Sequence, residues 1–157
     1  MTLRARLAGL CLSVPLALAG PLASADTLID GSDPEAIRAI ATGYGSAELE
    51  TDSDGDPQIV GRIDGTQYIV LFYGCTNGQN CNSIQFTAGW AGVPVSLAQI
   101  NAWNSGMRFG KAYLDEDGDP TVEMNVNLDF GVSRKNLDDT FDFWRLVLTQ
   151  FQEEVLD

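Results

Sequence analysis

The hydrophobic positions of this chain change their spacing from one segment to the next, and the spacing predicts three helices separated by runs of strands. In residues 32–43 the apolar side chains share one face of a helix: Ile37, Ile40, Ala41 and Tyr44. Ser32 and Glu35 have the spacing of a capping box at its start. Gly43 is a suitable residue for its end. A first helix is therefore expected here.

Two further segments have helical spacing. Residues 96–104 begin with Ser96 and Gln99 as a second capping pair. The core-facing side chains of this helix are expected to be Leu97, Ile100 and Trp103. Ser133 is the expected cap of a long last helix that continues nearly to the end of the chain.

Between the helices, apolar and polar residues alternate in segments rich in β-branched and aromatic side chains, which is typical of half-buried strands. The predicted strands are residues 47–51, 57–63, 66–73, 83–90, 108–115 and 121–129. Asp64 and Gly65 are the expected two-residue turn of the second hairpin. The order α-β-β-β-β-α-β-β-α, with short connections between strands, predicts a single α+β domain. Its antiparallel sheet is expected to pack with about three helices.

Two acidic hexapeptides are near-copies of each other: DSDGDP at residues 52–57 and DEDGDP at residues 115–120. An EF-hand loop requires glycine at its sixth position and a bidentate glutamate at its twelfth. In the first loop these positions hold Pro57 and Ile63, and in the second they hold proline and valine. Aspartate, glycine and proline in this arrangement favour tight turns. We therefore expect turns between strands and no metal site.

The first 25 residues have the three parts of a secretory signal peptide. Arg4 and Arg6 provide the positive start, an uncharged apolar run follows, and Ala23-Ser24-Ala25 is a small-x-small cleavage site. We expect residues 1–25 to be cleaved, leaving a mature domain of residues 26–157. The leader predicts a periplasmic protein, with secretion out of the cell as the alternative.

The charge of the chain restricts its partners. The sequence has 157 residues with 9 basic and 22 acidic side chains, and removal of the leader leaves 7 basic ones and a net charge of −15. Such a charge repels nucleic acid and anionic lipid. After the leader there is no segment long and apolar enough to cross a membrane, so no membrane insertion is expected after cleavage. The chain contains no histidine, which excludes imidazole-based catalysis and histidine-ligated metal sites.

Two cysteines remain after cleavage, Cys75 and Cys81, six residues apart in a polar loop. An even pair in an exported chain predicts a structural disulfide. The spacing lacks the Cys-x-x-Cys pattern of redox motifs, and there is no second pair to complete a zinc site. We expect no catalytic residue, no cofactor and no metal.

The last helix carries more apolar residues than one core-facing side requires. A heptad-type stripe is formed by Leu137, Phe141, Trp144, Leu148, Phe151 and Val155, and Phe143, Leu146 and Val147 lie off it. One interpretation is an interaction surface for a client or a second copy. Its expected residues are Phe141, Phe143, Trp144, Val147, Leu148 and Phe151. The alternative is that all of these side chains belong to the core.

Two stretches of the sequence, FYGC…CNSIQFTAGW and INAWNSGMRFGKAYLDEDGDP, together with the aromatic last helix, resemble the YbjN family over about residues 27–156. The most specific part of the resemblance is Ile100, Asn101, Trp103 and Asn104, followed by the run from Arg108 to Asp115. The resemblance implies a fold similar to type III secretion chaperones, small α+β proteins that commonly dimerise and bind partner polypeptides. It implies no catalytic residues.

Two functions are left open by the residues. The first is a non-enzymatic, periplasmic protein-interaction module with a chaperone-like or regulatory role. The alternative is a carboxylate-dependent hydrolase with a pocket near Trp103, Arg108 and Asp115, in which Asp117 and Asp119 are further candidates. A deep pocket joining these residues would favour the enzyme, and a shallow apolar groove beside the last helix would favour the module.

Overall fold

The computed structural model describes residues 27–157, and the predicted leader and its cleavage site lie outside this part of the chain. Its helices are α1 (Pro34–Ala41), α2 (Leu97–Gly106) and α3 (Arg134–Phe151), which continues into a π-helical segment (Gln152–Leu156). Its strands are β1 (Ala47–Thr51), β2 (Pro57–Ile63), β3 (Thr66–Tyr73), β4 (Ser83–Gly89), β5 (Lys111–Leu114) and β6 (Pro120–Asn127). The order of elements confirms the predicted α+β domain.

All six strands form one antiparallel sheet in the order β1-β2-β3-β4-β6-β5, so β1 and β5 are its edges. Alternate residues of β3 and β4 are buried, as in the predicted set Ile84, Phe86 and Ala88. Helix α3 packs on this buried side, where the ring of Phe86 lies 4.9 Å from Phe141 and 5.5 Å from Trp144. The opposite side of the sheet carries polar pairs such as Gln85 and Asn125, joined at 3.0 Å.

The helix ends follow the predicted capping chemistry at α2 and α3, and two details at the helix starts need correction. Ser96 and Gln99 form the predicted capping box of α2, and Ser133 caps α3. The cap of α1, however, is Asp33, whose carboxylate accepts the backbone N–H of Ala36, and not Ser32. Leu97 is also not in the core: as the first residue of α2 it points outward and is 64% exposed.

Both acidic hexapeptides are turns between strands, as predicted. In the first, Asp52 Oδ1 accepts the backbone N–H of Asp54 and of Asp56, each at 2.9 Å. In the second, Asp115 Oδ1 accepts the corresponding two N–H groups at 3.0 and 2.9 Å. The glycine of each turn has a positive φ, and proline begins each outgoing strand. The same sequence pattern therefore builds the same turn twice.

The two cysteines are joined by the predicted disulfide between Cys75 and Cys81. The disulfide loop also holds the start of the described chain, because the backbone N–H of Cys81 donates to the carbonyl of Gly31. None of the helices within residues 27–157 has the length and apolar character that a membrane span requires.

Candidate interaction groove

Most of the predicted interaction surface on α3 is core, which corrects that prediction. Five of its six side chains are buried: Phe141, Trp144, Val147, Leu148 and Phe151. The reason is that α3 has neighbours on several sides. It packs on the sheet through Phe86, contacts α1, and meets the ring of Trp103 from α2 through Phe151 at 5.1 Å. The extra apolar residues of the helix therefore serve a wide contact with the rest of the domain.

An exposed apolar groove remains beside α3, on the side away from α1. Phe143 and Leu146 are 37% and 53% exposed, and Phe109, from the connection between α2 and β5, is 40% exposed. The rings of Phe109 and Phe143 are 4.6 Å apart. With Met107 they line a cavity of about 240 Å³, which we call the α3 groove: Gly106, Met107, Arg108, Phe109, Phe143, Leu146, Val147 and Gln150.

The local sequence explains why Phe109 lies against α3. Helix α2 ends at Gly106 because the backbone of Met107 is extended (φ −90°, ψ 136°), and the N–H of Met107 makes the last helical hydrogen bond, to the carbonyl of Trp103. Gly110 then has a φ of +83°, and a Cβ at this position would lie 3.1 Å from Val147 Cγ1 and 3.4 Å from the Trp103 ring. Glycine is needed both for this backbone conformation and for the close approach. The turn brings the connection close to α3 and places Phe109 beside Phe143.

The α3 groove has a positive charge in an acidic protein. The guanidinium of Arg108 lies 5.4 Å from the centre of the Phe109 ring. Within the described residues Arg108 takes part in no ion pair, whereas the nearby Arg145 is paired with Asp142 at 2.9 Å. No carboxylate lines the cavity. The groove therefore combines an aromatic surface with the guanidinium of Arg108, which can bind a carboxylate of a partner.

The only buried charged side chain within residues 27–157 is Glu123, on β6. Its carboxylate contacts Lys111 Nζ at 2.6 Å. The hydrogen bond to Glu123 raises the pKa of Lys111, and burial together with the charge of Glu123 raises the pKa of Tyr113. Both groups keep their protons at neutral pH and cannot act as bases there. The arrangement is a neutralised ion pair within the sheet.

The residues proposed for a hydrolase do not form one site. Trp103 is buried against Phe151, and the cavity that Arg108 lines includes neither Trp103 nor Asp115. The carboxylate of Asp115 faces the backbone of its own turn, and that of Asp119 accepts the N–H of Gly92 at 2.7 Å. Asp117 is exposed in the same turn. These carboxylates shape the turn and its neighbouring loop.

Phe130, a further exposed aromatic residue, is not among the predicted site residues. It is 97% exposed and has a φ of +67°, a conformation that aromatic residues rarely adopt. The sequence has a signal for it, because Asp129 and Gly131 flank Phe130 between a strand and a helix and predict a turn that would present the side chain outward. Leu146, an apolar residue off the heptad-type stripe, is likewise not part of the predicted surface.

The chain matches a known protein family over most of its length. The family model YbjN, described as "Putative bacterial sensory transduction regulator", matches residues 33–157. No curated protein matches the chain. Within residues 27–157 there is also no cluster of three or more acidic or cysteine side chains arranged to hold a metal ion.

Proposed function

Because the chain belongs to the YbjN family, we propose that it is a non-enzymatic periplasmic protein-interaction module with a chaperone-like or regulatory role. Its binding site is the α3 groove, and the protein acts by holding an apolar side chain of another polypeptide there. The observation that carries this proposal is the exposed pair of contacting rings, Phe109 and Phe143, whose planes are tilted by 39°, beside Leu146.

The size of the groove favours a side chain over a small molecule. Pockets for drug-sized ligands have volumes of roughly 300–1,000 Å³, whereas this cavity has about 240 Å³ and is open to solvent. Aromatic side chains are enriched in protein interfaces, because they supply a large contact area while losing few rotamers on binding. Phe109 and Phe143 already contact each other, so little further ordering is needed when a partner binds.

Two observations support the absence of catalysis. The candidate carboxylates Asp115 and Asp119 accept hydrogen bonds from nearby backbone N–H groups. The buried carboxylate of Glu123 is neutralised by Lys111. A general acid or base must reach a substrate proton directly or through one water, and these groups are engaged in holding turns and strands together.

The periplasmic assignment rests on the leader pattern of residues 1–25 and on the disulfide. Structural disulfides are typical of oxidising compartments, and Cys75 and Cys81 are paired. Phosphate backbones and anionic lipid remain unfavourable partners for a mature chain of charge −15.

The experiment is a pull-down from periplasmic extract with two matched variants. Leu146→Asp places a charge in the groove, and Leu97→Asp places one at a similarly exposed leucine on α2, since the two side chains are 53% and 64% exposed. Both variants should fold, because substitutions of exposed residues usually change stability by about 0.5 kcal/mol or less. We expect the wild type and the Leu97 variant to retain the same partner and the Leu146 variant to lose it. Equal capture by all three proteins would show that the groove is not the binding site.

A further inference from the structure

The turn that contains Phe130 presents an aromatic side chain in a rigid setting. The N–H of Gly131 donates to the carbonyl of Leu128 at 3.0 Å and closes a β-turn in which Phe130 is the third residue. A positive φ at this place is normally adopted by glycine or asparagine. The side chain is 97% exposed, so it contributes almost no burial to the folded monomer.

Both sides of this turn are anchored. Leu128 is fully buried, and its N–H donates to the carbonyl of Asn82 at 2.9 Å. After the turn, Val132 and Ile29 exchange two backbone hydrogen bonds at 2.8 Å each. The turn thus holds Phe130 in a fixed position away from the domain, and a partner that receives it need not order a loop.

The chemistry of this turn complements that of the α3 groove. Asp129, the residue before Phe130, is also exposed, so the same turn presents a carboxylate and an aromatic ring. The groove offers the rings of Phe109 and Phe143 together with the unpaired guanidinium of Arg108. An inserted phenylalanine would contact the aromatic pair, and the neighbouring aspartate would meet the arginine.

We propose that the occupant of the α3 groove is the Asp129–Gly131 turn of a second copy of this chain, which gives head-to-tail self-association. This inference rests on the proposed function, because it names the partner of the same groove. Head-to-tail self-association explains two features that do not stabilise the folded monomer. One is the exposed Phe130 in a strained conformation, and the other is the apolar α3 groove with the unpaired Arg108.

The geometry requires two molecules. The turn precedes α3, which starts at Arg134, whereas the groove lies beside α3 from Phe143 onward. With a rise of about 1.5 Å per residue, these two points on a continuous helix are roughly 14 Å apart, and the turn cannot enter the groove of its own chain. A contact between two copies of the groove is less favourable, since it would bring two Arg108 side chains together. The head-to-tail contact is heterologous and can continue from one copy to the next.

The contact is small, and each mature chain carries a charge of −15. At physiological salt the Debye length is about 8 Å, so repulsion between the bodies of the two molecules is largely screened. We expect a transient association whose average mass rises over protein concentrations from about 10 μM to 1 mM, as suits a small interface.

The test is a mixing experiment on the disulfide-bonded mature protein, followed by sedimentation equilibrium. Phe130→Asn removes the aromatic ring and places a residue that tolerates positive φ, and Leu146→Asp blocks the groove. Each variant alone should sediment as a monomer at concentrations where the wild type associates. An equimolar mixture should form dimers and nothing larger, because one variant keeps an intact groove and the other keeps an intact turn.

Reversing the charges of Arg108 and Asp129 provides a second, independent test of the contact. Arg108→Glu and Asp129→Lys should each weaken self-association by tenfold or more, and mixing them should restore it. A wild type that stays monomeric up to 1 mM, or a Phe130→Asn variant that associates like the wild type, would overturn the inference. If self-association fails but the pull-down still captures another periplasmic protein in a manner that depends on Leu146, the proposed function stands and only the inferred self-association is wrong. If neither self-association nor such a captured protein is observed, both the inference and the proposed function fail.

Discussion

Asn104 binds both backbone polar groups of Ala112. Its Nδ2 donates to the carbonyl of Ala112 at 2.9 Å, and its Oδ1 accepts the N–H of Ala112 at 2.8 Å. Ala112 lies on the edge strand β5 opposite Val122 of β6. Because these two groups bond to Asn104, they face away from β6, as alternate residues of an antiparallel edge do. A side chain from α2 therefore occupies part of the free edge of the sheet next to the α3 groove.

We predict that Asn104→Ala destabilises the protein and makes it prone to aggregation. The change removes two part-buried hydrogen bonds, each worth about 0.5–1.5 kcal/mol, and it exposes backbone groups that can pair with another chain. The free energy of unfolding should fall by about 2 kcal/mol in chemical denaturation. Asn101→Ala, on the exposed side of the same helix, is the control and should change neither property.

The second prediction concerns Tyr68, which is buried and has no hydrogen-bond partner for its hydroxyl among the described residues. Tyr68→Phe should raise the free energy of unfolding by about 1 kcal/mol, because an unpaired buried polar group is costly. Tyr44→Phe is the contrasting control. The hydroxyl of Tyr44 donates to the carbonyl of Asp138 at 2.7 Å, so its loss should lower stability by a similar amount.

Tyr68 also gives a pH dependence. Burial raises the pKa of Tyr68 from 10.0 to about 12. The contribution of this pKa shift to the free energy of unfolding is complete below the pKa of tyrosine in the unfolded state, near pH 10. It is lost as pH rises from there through about 12, because the unfolded state releases the proton first. The Tyr68→Phe variant should lose less stability than the wild type in denaturation curves between about pH 10 and 12. An equal slope in both proteins would contradict the buried, neutral hydroxyl.

The third prediction concerns the two acidic turns. Asp52 and Asp115 each accept two backbone N–H groups, so Asp52→Ala and Asp115→Ala should each lower stability by roughly 1–2 kcal/mol. Asp54→Ala and Asp117→Ala are controls, since no hydrogen bond to either carboxylate is present in the described structure and both residues are exposed.

Millimolar calcium should not shift the melting temperature, because the central carboxylate of each turn already binds its own backbone. A saturable shift would show that the turns rearrange around the ion.

Much of the fold is predictable from local pattern. The strand of residues 57–63 has the same bounds in sequence and structure, because alternation, Pro57 at its start and Asp64-Gly65 at its end all agree. The cap of α1 is less predictable, because Ser32 and Asp33 are both good caps and the choice depends on how the chain enters the helix.

The site could be predicted only in part. Helical spacing identifies α3 as amphipathic, but it cannot show how many neighbours the helix has. It therefore does not reveal that Trp144 and Phe151, two residues of the expected interaction surface, are fully buried. Phe109 is far from Phe143 in sequence, and the two rings meet because Gly110 permits a turn towards Val147. Contacts of this kind depend on tertiary packing and leave no periodic signal.

The most direct test of the α3 groove is site-specific photo-crosslinking in cells that export the protein. A photoreactive phenylalanine analogue would replace Leu146 in the groove or, as a control, the similarly exposed Leu97 on α2. We predict a discrete protein adduct from position 146 and none from position 97. A mass of twice the chain would identify a second copy, and any other mass would identify a different partner. The absence of an adduct at 146 from exported, disulfide-bonded protein, or equal adducts at both positions, would contradict the assignment of the groove as a protein-binding site.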